Sequence, residues 1–378
     1  MDMKSPSYLI RTFLKVEKLS AICLMMYLGV TTADAGHGLV TEAELDLVEP
    51  EESYNSGWQF YFDNDVFLGS TKDRNYTGGI ALTLTGRRAK DYWFSADKWL
   101  EKLDDISGYD YLKGGPGGFQ RHAIEFGLTL FTPDDISTSE AIPDDHPYAN
   151  LLFMANSRVA VFPKEGRIYQ SSLLVGLLGT SVGEQMQKLI HEATDSDEPQ
   201  GWHNQISDGG ELTFKHTLSV DQVLYSHRGD ISYELRGGLE AGIGFTTDVR
   251  ASISGRLGLL NTPWWSFTPH QTEYINLGQT LGDNARREPN PAELFLWAGV
   301  KVRYSFYNAI LQGQFRDNPV EFSHDQLESV IVNGWLGITK TFDNGLGISF
   351  VAQTQTNEIK GPDRKDPVWG GLIISQVF

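Results

Sequence analysis

The chain has 378 residues, with 49 acidic against 31 basic side chains and a formal net charge of −18. Phosphate backbones repel so acidic a chain, so this charge balance argues against nucleic acid as a partner, while it is compatible with divalent cations. The single cysteine, Cys23, excludes a disulfide framework.

Residues 1–35 have the pattern of a secretion signal. Basic residues precede an apolar run over 19–30, and Ala33 and Ala35 satisfy the small-residue rule for signal peptidase. An uncleaved membrane anchor is the less favoured alternative, because the run is shorter than the ~20 residues that a helical span needs. We expect cleavage after residue 35, followed by an N-terminal periplasmic segment at 36–56.

Alternation of polar and apolar side chains dominates the rest of the chain. In 121–131, for example, Ile124 and Phe126 alternate with Glu125 and Gly127. Each alternating segment is about ten residues long, which suits a tilted strand that crosses a bilayer. A soluble β-sandwich would show the same alternation, but the chain also ends in a strand with an aromatic residue. The alternating segments are 57–67, 76–86, 121–131, 149–161, 168–178, 210–220, 230–241, 250–259, 293–305, 307–316, 329–341, 345–356 and 368–378.

These thirteen segments predict twelve strands, because a single-chain bacterial barrel normally has an even number. We interpret 307–316 as an extension of its neighbour beyond the membrane, since no turn separates the two. The prediction is an all-β fold, a transmembrane antiparallel β-barrel over 57–378. The terminal Phe378 resembles the signal by which the barrel assembly machinery recognises outer-membrane barrels.

The connection at 87–120 is unusually long for a periplasmic turn. Its middle, from Trp93 to Leu103, is compatible with a short helix. Trp93, Phe94, Trp99 and Leu100 would then rest on the membrane surface.

Three connections are expected to be extracellular if the first strand runs upward from the periplasm. These are 68–75, 132–148 and 179–209, and they hold most of the polar, motif-like sequence in the first half of the chain. Because they meet at one end of the barrel, they suggest a functional site on that rim.

His191 is the candidate general base. It lies four residues after Gln187 in a predicted short helix, so the two side chains share a helix face. An imidazole can take a proton from water near neutral pH. An ordinary surface histidine is the alternative for any of the nine histidines.

Polar residues at the top of the first two strands form the second half of the candidate site. Asp65 continues an inward-facing alternation and would hold a hard cation together with loop carbonyls. Asn64 faces outward unless the rim bends or bulges. Thr77 is expected on the polar inner face, where it would donate a hydrogen bond to an oxyanion. A simple turn and a lumen-lining threonine are the alternatives.

Five motifs in this order and spacing resemble those of the lipid A 3'-O-deacylase family of Gram-negative outer membranes. The resemblance covers about residues 57 to 205. Its motifs are Phe62-Asp63-Asn64-Asp65, Asp73-Arg74-Asn75-Tyr76-Thr77-Gly78-Gly79, Asp144-Asp145-His146-Pro147-Tyr148-Ala149, Gly183-Glu184-Gln185-Met186-Gln187 leading to His191, and Gly201-Trp202-His203-Asn204-Gln205.

The resemblance implies an outer-membrane enzyme whose site lies between the barrel wall and the outer leaflet. It implies hydrolysis of an ester-linked acyl chain of lipid A. His191 matches the water-activating histidine, Asn64 and Asp65 match the pair at a Ca²⁺ site, and Thr77 matches the hydroxyl residue beside it. Water deprotonated by His191 would attack the carbonyl, with Ca²⁺ stabilising the oxyanion.

The resemblance implies substrate contacts at the positions of His146, Tyr148, Gln187 and Asp197. The chain departs from the family pattern at two positions. His146 stands where the family has arginine. Asn150 stands where a small residue is usual. A histidine is a weaker and pH-dependent partner for lipid A phosphate, so the headgroup preference is left open.

Two other functions remain open at this stage. The barrel could be a non-enzymatic channel or structural protein of the outer membrane. It could also be a phospholipase that acts on glycerolipids.

Overall fold

The computed structural model describes residues 51–68, 75–113, 117–194, 197–269, 292–361 and 366–378. The predicted signal at 1–35, with Cys23, and most of the predicted segment at 36–56 lie outside the described residues.

Twelve antiparallel strands form one closed barrel, which confirms the predicted fold class. Each strand pairs with its neighbours in sequence, and β1 closes the barrel by pairing with β12. Closure lets the backbone polar groups of the wall bond to one another, as a lipid environment requires. The strands are β1 (Gly57–Asn64), β2 (Asn75–Thr85), β3 (Phe119–Thr132), β4 (Ala149–Phe162), β5 (Arg167–Leu178), β6 (Glu211–His227), β7 (Ser232–Gly244), β8 (Thr246–Leu259), β9 (Glu293–Asn308), β10 (Val330–Thr341), β11 (Leu346–Gln355) and β12 (Val368–Val377).

Four α-helices accompany these strands in the described residues. They are α1 (Arg88–Asp91), α2 (Asp97–Ser107), α3 (Ser181–Thr194) and α4 (Ala309–Gln312). None of them is long and apolar enough to cross a membrane.

The prediction of an extended strand at 307–316 is wrong beyond Asn308. The Asn308 side chain accepts a hydrogen bond from the backbone N–H of Ile310, at 3.1 Å, and so caps α4. A capped helical turn therefore ends β9 where alternation alone suggested that the strand continues.

We call the end of the barrel that holds Gly57 and Val377 the lower rim, and the end that holds Asn64 and Gly370 the upper rim. Because neighbouring strands are antiparallel, the connections after β1, β3 and β5 meet at the upper rim. These are the three connections that the sequence placed together.

The two faces of the barrel wall differ in polarity. Outward-facing side chains of β9 are apolar and about half exposed, as for Leu296 at 48% and Val300 at 50%. Their inward-facing neighbours Trp297, Lys301 and Arg303 are at most 2% exposed. An apolar outer belt around a polar interior is the pattern of a membrane barrel.

Helix α3 packs on the wall beside β3 and β4, and one polar residue on β4 anchors its start. The Asn150 amide donates to the Thr180 carbonyl and to Gln205 Oε1, both at 2.8 Å, and the Thr180 hydroxyl donates back to Asn150 Oδ1. A Cβ atom at Gly183 would lie 2.7 Å from the Asn150 side chain. The glycine therefore allows α3 to approach the wall closely.

Gly183→Val should force α3 away from the wall while the barrel stays closed, because the clash involves only this helix. We expect faster protease cleavage within 179–210 in detergent micelles, with an unchanged heat-dependent shift of the folded barrel on a gel. Glu192→Val, at an exposed position of the same helix, is the matched control. Equal cleavage rates in the two variants would contradict this packing argument.

Candidate functional site

A cavity of about 50 Å³ lies at the upper rim, between α3 and the outer face of β1, β2 and β3; we call it the wall cavity. Ile80 of β2 is two residues from Leu82, which is exposed on the outer face, so the two side chains share that face. Leu128 of β3 pairs with Ile80, and Leu130 lies two residues further along, so both also face outward. The wall cavity is therefore outside the barrel, on the lipid side. Its lining residues are Phe62, Asp63, Asn64, Thr77, Gly78, Gly79, Ile80, Leu128, Leu130, Met186, Gln187, Ile190 and His191.

A β-bulge in β2 brings Thr77 to this cavity. Tyr76 pairs with Phe131 and Gly78 pairs with the adjacent Leu130, so Thr77 is an extra residue in its strand. Its hydroxyl lies 2.7 Å from the hydroxyl of Thr132, an outward-facing position of β3. The prediction that Thr77 lies on the inner face is therefore wrong, because the bulge breaks the alternation.

Tyr76 holds the bulge in place from the barrel interior. Its hydroxyl donates to the buried Asp63 carboxylate at 2.9 Å, and its ring packs against Phe131 and Trp369. Tyr61 donates to the same carboxylate at 2.7 Å. Asp63 was already part of the sequence motif. Its bond to Tyr76 holds that side chain inward, so that Thr77 points outward, and this role could be recognised only once the pairing of β1 and β2 was known.

Asn64 reaches the cavity as the last outward-facing residue of β1. Its Nδ2 donates to the Thr77 carbonyl oxygen at 3.0 Å, which joins the two predicted site residues. Asp65 is the first residue of a 3-10 turn, Asp65–Leu68, and its side chain is buried. Because β1 ends at Asn64, the strand alternation used to orient Asp65 does not extend to it.

His191 lies at the other side of the wall cavity, on α3. Its Nδ1 lies 2.5 Å from the backbone carbonyl oxygen of Asp197. A carbonyl oxygen only accepts, so Nδ1 carries the hydrogen, which in the neutral ring leaves the lone pair on Nε2. Asp197, which the sequence predicted as a substrate contact, thus orients His191 through its backbone carbonyl, and its side chain is exposed.

Gln187 faces the cavity from the same helix face as His191, as the four-residue spacing predicted. Its side-chain oxygen accepts a hydrogen bond from Trp202 Nε1 at 2.7 Å. Trp202 in turn packs against Tyr148, with ring centroids 4.9 Å apart. Tyr148 is buried and does not line the cavity, so it supports the site from behind.

His146 does not reach the cavity. Its ring is 3% exposed, stacks on the inward-facing Phe131 at 5.4 Å, and donates from Nδ1 to the Pro147 carbonyl at 2.8 Å. The structure therefore gives no support to the predicted role of His146 in binding lipid A phosphate.

Apolar residues of the cavity were missed by reasoning that followed polar motifs. Met186 and Ile190 are four residues apart on α3, and each directly precedes one of the polar pair, Gln187 and His191. That spacing was a usable signal, because residues four apart share a helix face. Together with the strand residues they make a mostly apolar pocket with a few polar groups at one side.

The residues beside the cavity offer oxygen ligands for a metal. Among the described residues, no three His, Cys, Asp or Glu side chains lie close enough to share an ion. The consecutive Asn64 and Asp65 supply an amide oxygen and one buried carboxylate, a donor set that fits a hard cation such as Ca²⁺ better than a zinc site. The predicted motif residues Asp73 and Arg74 lie outside the described residues.

Solved structures show similarity at the level of the fold. LpxR from Salmonella typhimurium superimposes with a TM-score of 0.65 at 14% identity, over 85% of this chain and 100% of that chain. The beta domain of the Bordetella autotransporter BrkA has a TM-score of 0.41 at 10% identity, over 86% and 100%. An outer membrane channel from Pseudomonas putida F1 has a TM-score of 0.38 at 12% identity, over 86% and 96%.

The comparison with family models is the most specific. A search of curated protein sequences finds no significant match. The model described as "Outer membrane protein LpxR" matches residues 19–378, nearly the whole chain. The family resemblance drawn from the motifs is therefore confirmed, and the chain belongs to the LpxR family of outer membrane proteins.

Proposed function

We propose that this protein hydrolyses an ester-linked acyl or acyloxyacyl chain, at the 3' position, of lipid A in the outer leaflet. The position of the wall cavity carries the proposal: a mostly apolar pocket with His191 and Thr77 on the lipid side of the wall. With β1 rising from the periplasm, the upper rim faces the outside. A lipid acyl chain then reaches the cavity without entering the barrel interior.

His191 acts as the general base in this scheme. Its Nδ1–H bond to the Asp197 carbonyl supports the tautomer in which Nε2 accepts a proton from water. The water oxygen forms a bond to the ester carbonyl carbon. As the tetrahedral intermediate collapses, the ester C–O bond breaks, and the leaving sugar oxygen takes the proton back from His191. The products are a fatty acid and a free hydroxyl.

In this scheme Thr77 stabilises the negative charge that develops on the carbonyl oxygen. Its hydroxyl shares a hydrogen bond with Thr132, and with Thr132 donating, the proton of Thr77 is directed to the substrate oxygen. The hydrogen bond from Asn64 to the Thr77 carbonyl holds this segment in register with β1. Thr77 and Asn64 thus act together, from the wall side of the cavity.

Asp65 and Asn64 are the residues that would hold Ca²⁺. When bound, the ion would supply Lewis-acid stabilisation of charge on the ester oxygen. The type of donor supports this assignment, because the consecutive Asn64 and Asp65 supply an amide oxygen and carboxylate oxygens, the ligands that a hard cation prefers.

The packed interior argues against the alternative of an open channel. Among the inward-facing residues, Trp297, Trp335, Arg256 and Arg303 are all buried. Arg256 makes a two-point ion pair with Glu234, at 2.7 and 3.1 Å, across the lumen side of the wall. A phospholipase remains the closer alternative, because the cavity would also accept the acyl chain of a glycerolipid.

His191→Ala should reduce the rate of acyl release from lipid A by ~10²–10⁴-fold, the usual contribution of a general base. The measurement is fatty-acid release by the purified protein in detergent micelles with calcium. Glu192→Ala, exposed on the same helix, is the matched control and should keep the wild-type rate. An unchanged rate in His191→Ala would sink the base assignment. Release from phosphatidylethanolamine but not from lipid A would replace the proposed substrate.

Asp65→Asn should raise the calcium concentration needed for half-maximal activity by ~10-fold or more, as metal-site substitutions do. The variant keeps the side-chain shape but removes the negative charge. Rates are measured while calcium is returned to EDTA-treated protein, with Glu192→Gln as the control. If wild type stays fully active in EDTA, or if Asp65→Asn responds to calcium as wild type does, the metal assignment is wrong.

A further inference from the structure

Four polar side chains lie on the outer face of the wall near the lower rim; we call them the lower-wall patch. They are Asn156 and Arg158 on β4, Ser171 on β5 and His216 on β6. Each lies an even number of residues from an exposed residue of its own strand and so shares the outer face with it. These exposed residues are Leu152, Leu177 and Phe214. In a barrel embedded in a membrane, this patch would face hydrocarbon if nothing covered it.

Helices α1 and α2 cover the patch from outside the barrel. Asn156 donates to the Ala89 carbonyl at 3.1 Å and accepts from the Ala96 N–H at 2.9 Å. Asp104 of α2 accepts from the Ser171 hydroxyl at 3.0 Å.

Carboxylates of α2 also lie close to the basic side chains of the patch. Asp104 lies 3.6 Å from the Arg158 guanidinium and 3.7 Å from His216 Nε2. Asp97 lies 3.7 Å from the same guanidinium. Polar groups that face lipid must find protein partners, so the helices stand where lipid would otherwise be.

Helix α2 divides into three sectors around its axis. The sector with Asp97, Leu100 and Asp104 is buried against the wall, which corrects the prediction that Leu100 rests on the membrane. A second sector carries Trp99 and Ile106, which are 66% and 83% exposed and seven residues apart. The third sector is polar and carries the exposed residues Lys98, Glu101 and Asp105.

The apolar sector lies on the side of α2 that is nearer the upper rim, beside the outer face of the wall. Leu103 borders it and packs in one cluster with Met154 and Val175, which lie nearer the upper rim than the patch does. Trp93, just before α2, is 93% exposed, and Lys102 lies 4.8 Å over the Trp99 ring. Exposed tryptophans with a flanking lysine are typical of helices at a membrane interface.

We propose that α2 and the preceding Trp93 form a membrane anchor that inserts into the phospholipid leaflet at the lower rim. Its apolar sector continues the lipid-facing belt of the barrel, so phospholipid is the occupant that fits it. The basic and acidic side chains of α2 are mixed, so the attachment rests on apolar insertion rather than on anionic lipid. The anchor fixes the depth and tilt of the barrel on the side that also carries α3.

Depth measurements on single-cysteine variants test this anchor. The predicted mature chain has no cysteine, so Trp99→Cys and Ile106→Cys can each be labelled with an environment-sensitive fluorophore. Glu101→Cys and Asp105→Cys, on the polar sector of the same helix, are the matched controls. Leu296→Cys on the barrel belt is the lipid-facing standard. The folded protein is placed in phosphatidylethanolamine–phosphatidylglycerol nanodiscs, with folding checked by its heat-dependent gel shift.

We expect labels at 99 and 106 to be quenched by lipid with a nitroxide at acyl carbon 5 and to be protected from aqueous iodide. Labels at 101 and 105 should show the reverse. Equal iodide quenching at all four positions would overturn the proposal. Protection from iodide without quenching by nitroxide lipid would also overturn it, because protein rather than lipid would then cover the sector. Neither result depends on catalytic activity, so the hydrolase proposal is tested separately.

Discussion

The lipid-facing surface of a membrane barrel cannot leave polar groups without partners, and this constraint shapes the molecule outside its wall. Polar residues face outward at two heights on β4. Near the upper rim, Asn150 is satisfied by the segment that begins α3. Near the lower rim, Asn156 bonds to backbone groups at α1 and at the start of α2, and Arg158 lies 3.6 Å from Asp104 of α2. At each height, therefore, helices cover the outward-facing polar groups. Helix α3, near the upper rim, also brings His191 to the wall.

The same constraint explains how a water-dependent reaction can be placed beside lipid. Thr77 and Asn64 bond to groups on adjacent strands, and His191 bonds to the Asp197 carbonyl, so these polar side chains of the wall cavity have hydrogen-bond partners within the protein. The rest of the lining is apolar and suits an acyl chain. A site built on the outer wall needs no open lumen, which agrees with the packed barrel interior.

The fold could be predicted from the sequence because the alternation of polar and apolar residues in a strand is a local property. Twelve strands and the gathering of three connections at one rim follow from ten-residue periodicity and antiparallel order. The ordered motifs were sufficient for the family. They also paired Gln187 with His191 correctly, because a four-residue spacing fixes a shared helix face.

Side-chain directions that depend on irregular backbone or on long-range packing could not be predicted from the sequence. A single inserted residue turned Thr77 to the outer face, and no local pattern marks that bulge. His146 stacks on Phe131, a contact set by the fold of an entire connection. Asp197 contacts His191 through its backbone carbonyl, and side-chain chemistry does not reveal such a contact.

The central claim is that lipid A is cut in the cavity on the outer wall. Its most direct test is mass spectrometry of lipid A from Gram-negative cells that produce wild type, Ile190→Trp or Val182→Trp. Ile190 lines the wall cavity, whereas Val182 lies on the exposed face of the same helix. The account predicts loss of one acyl or acyloxyacyl mass with wild type and Val182→Trp, and intact lipid A with Ile190→Trp. Intact lipid A in all three cultures, or cleavage by Ile190→Trp at the wild-type level, would contradict it.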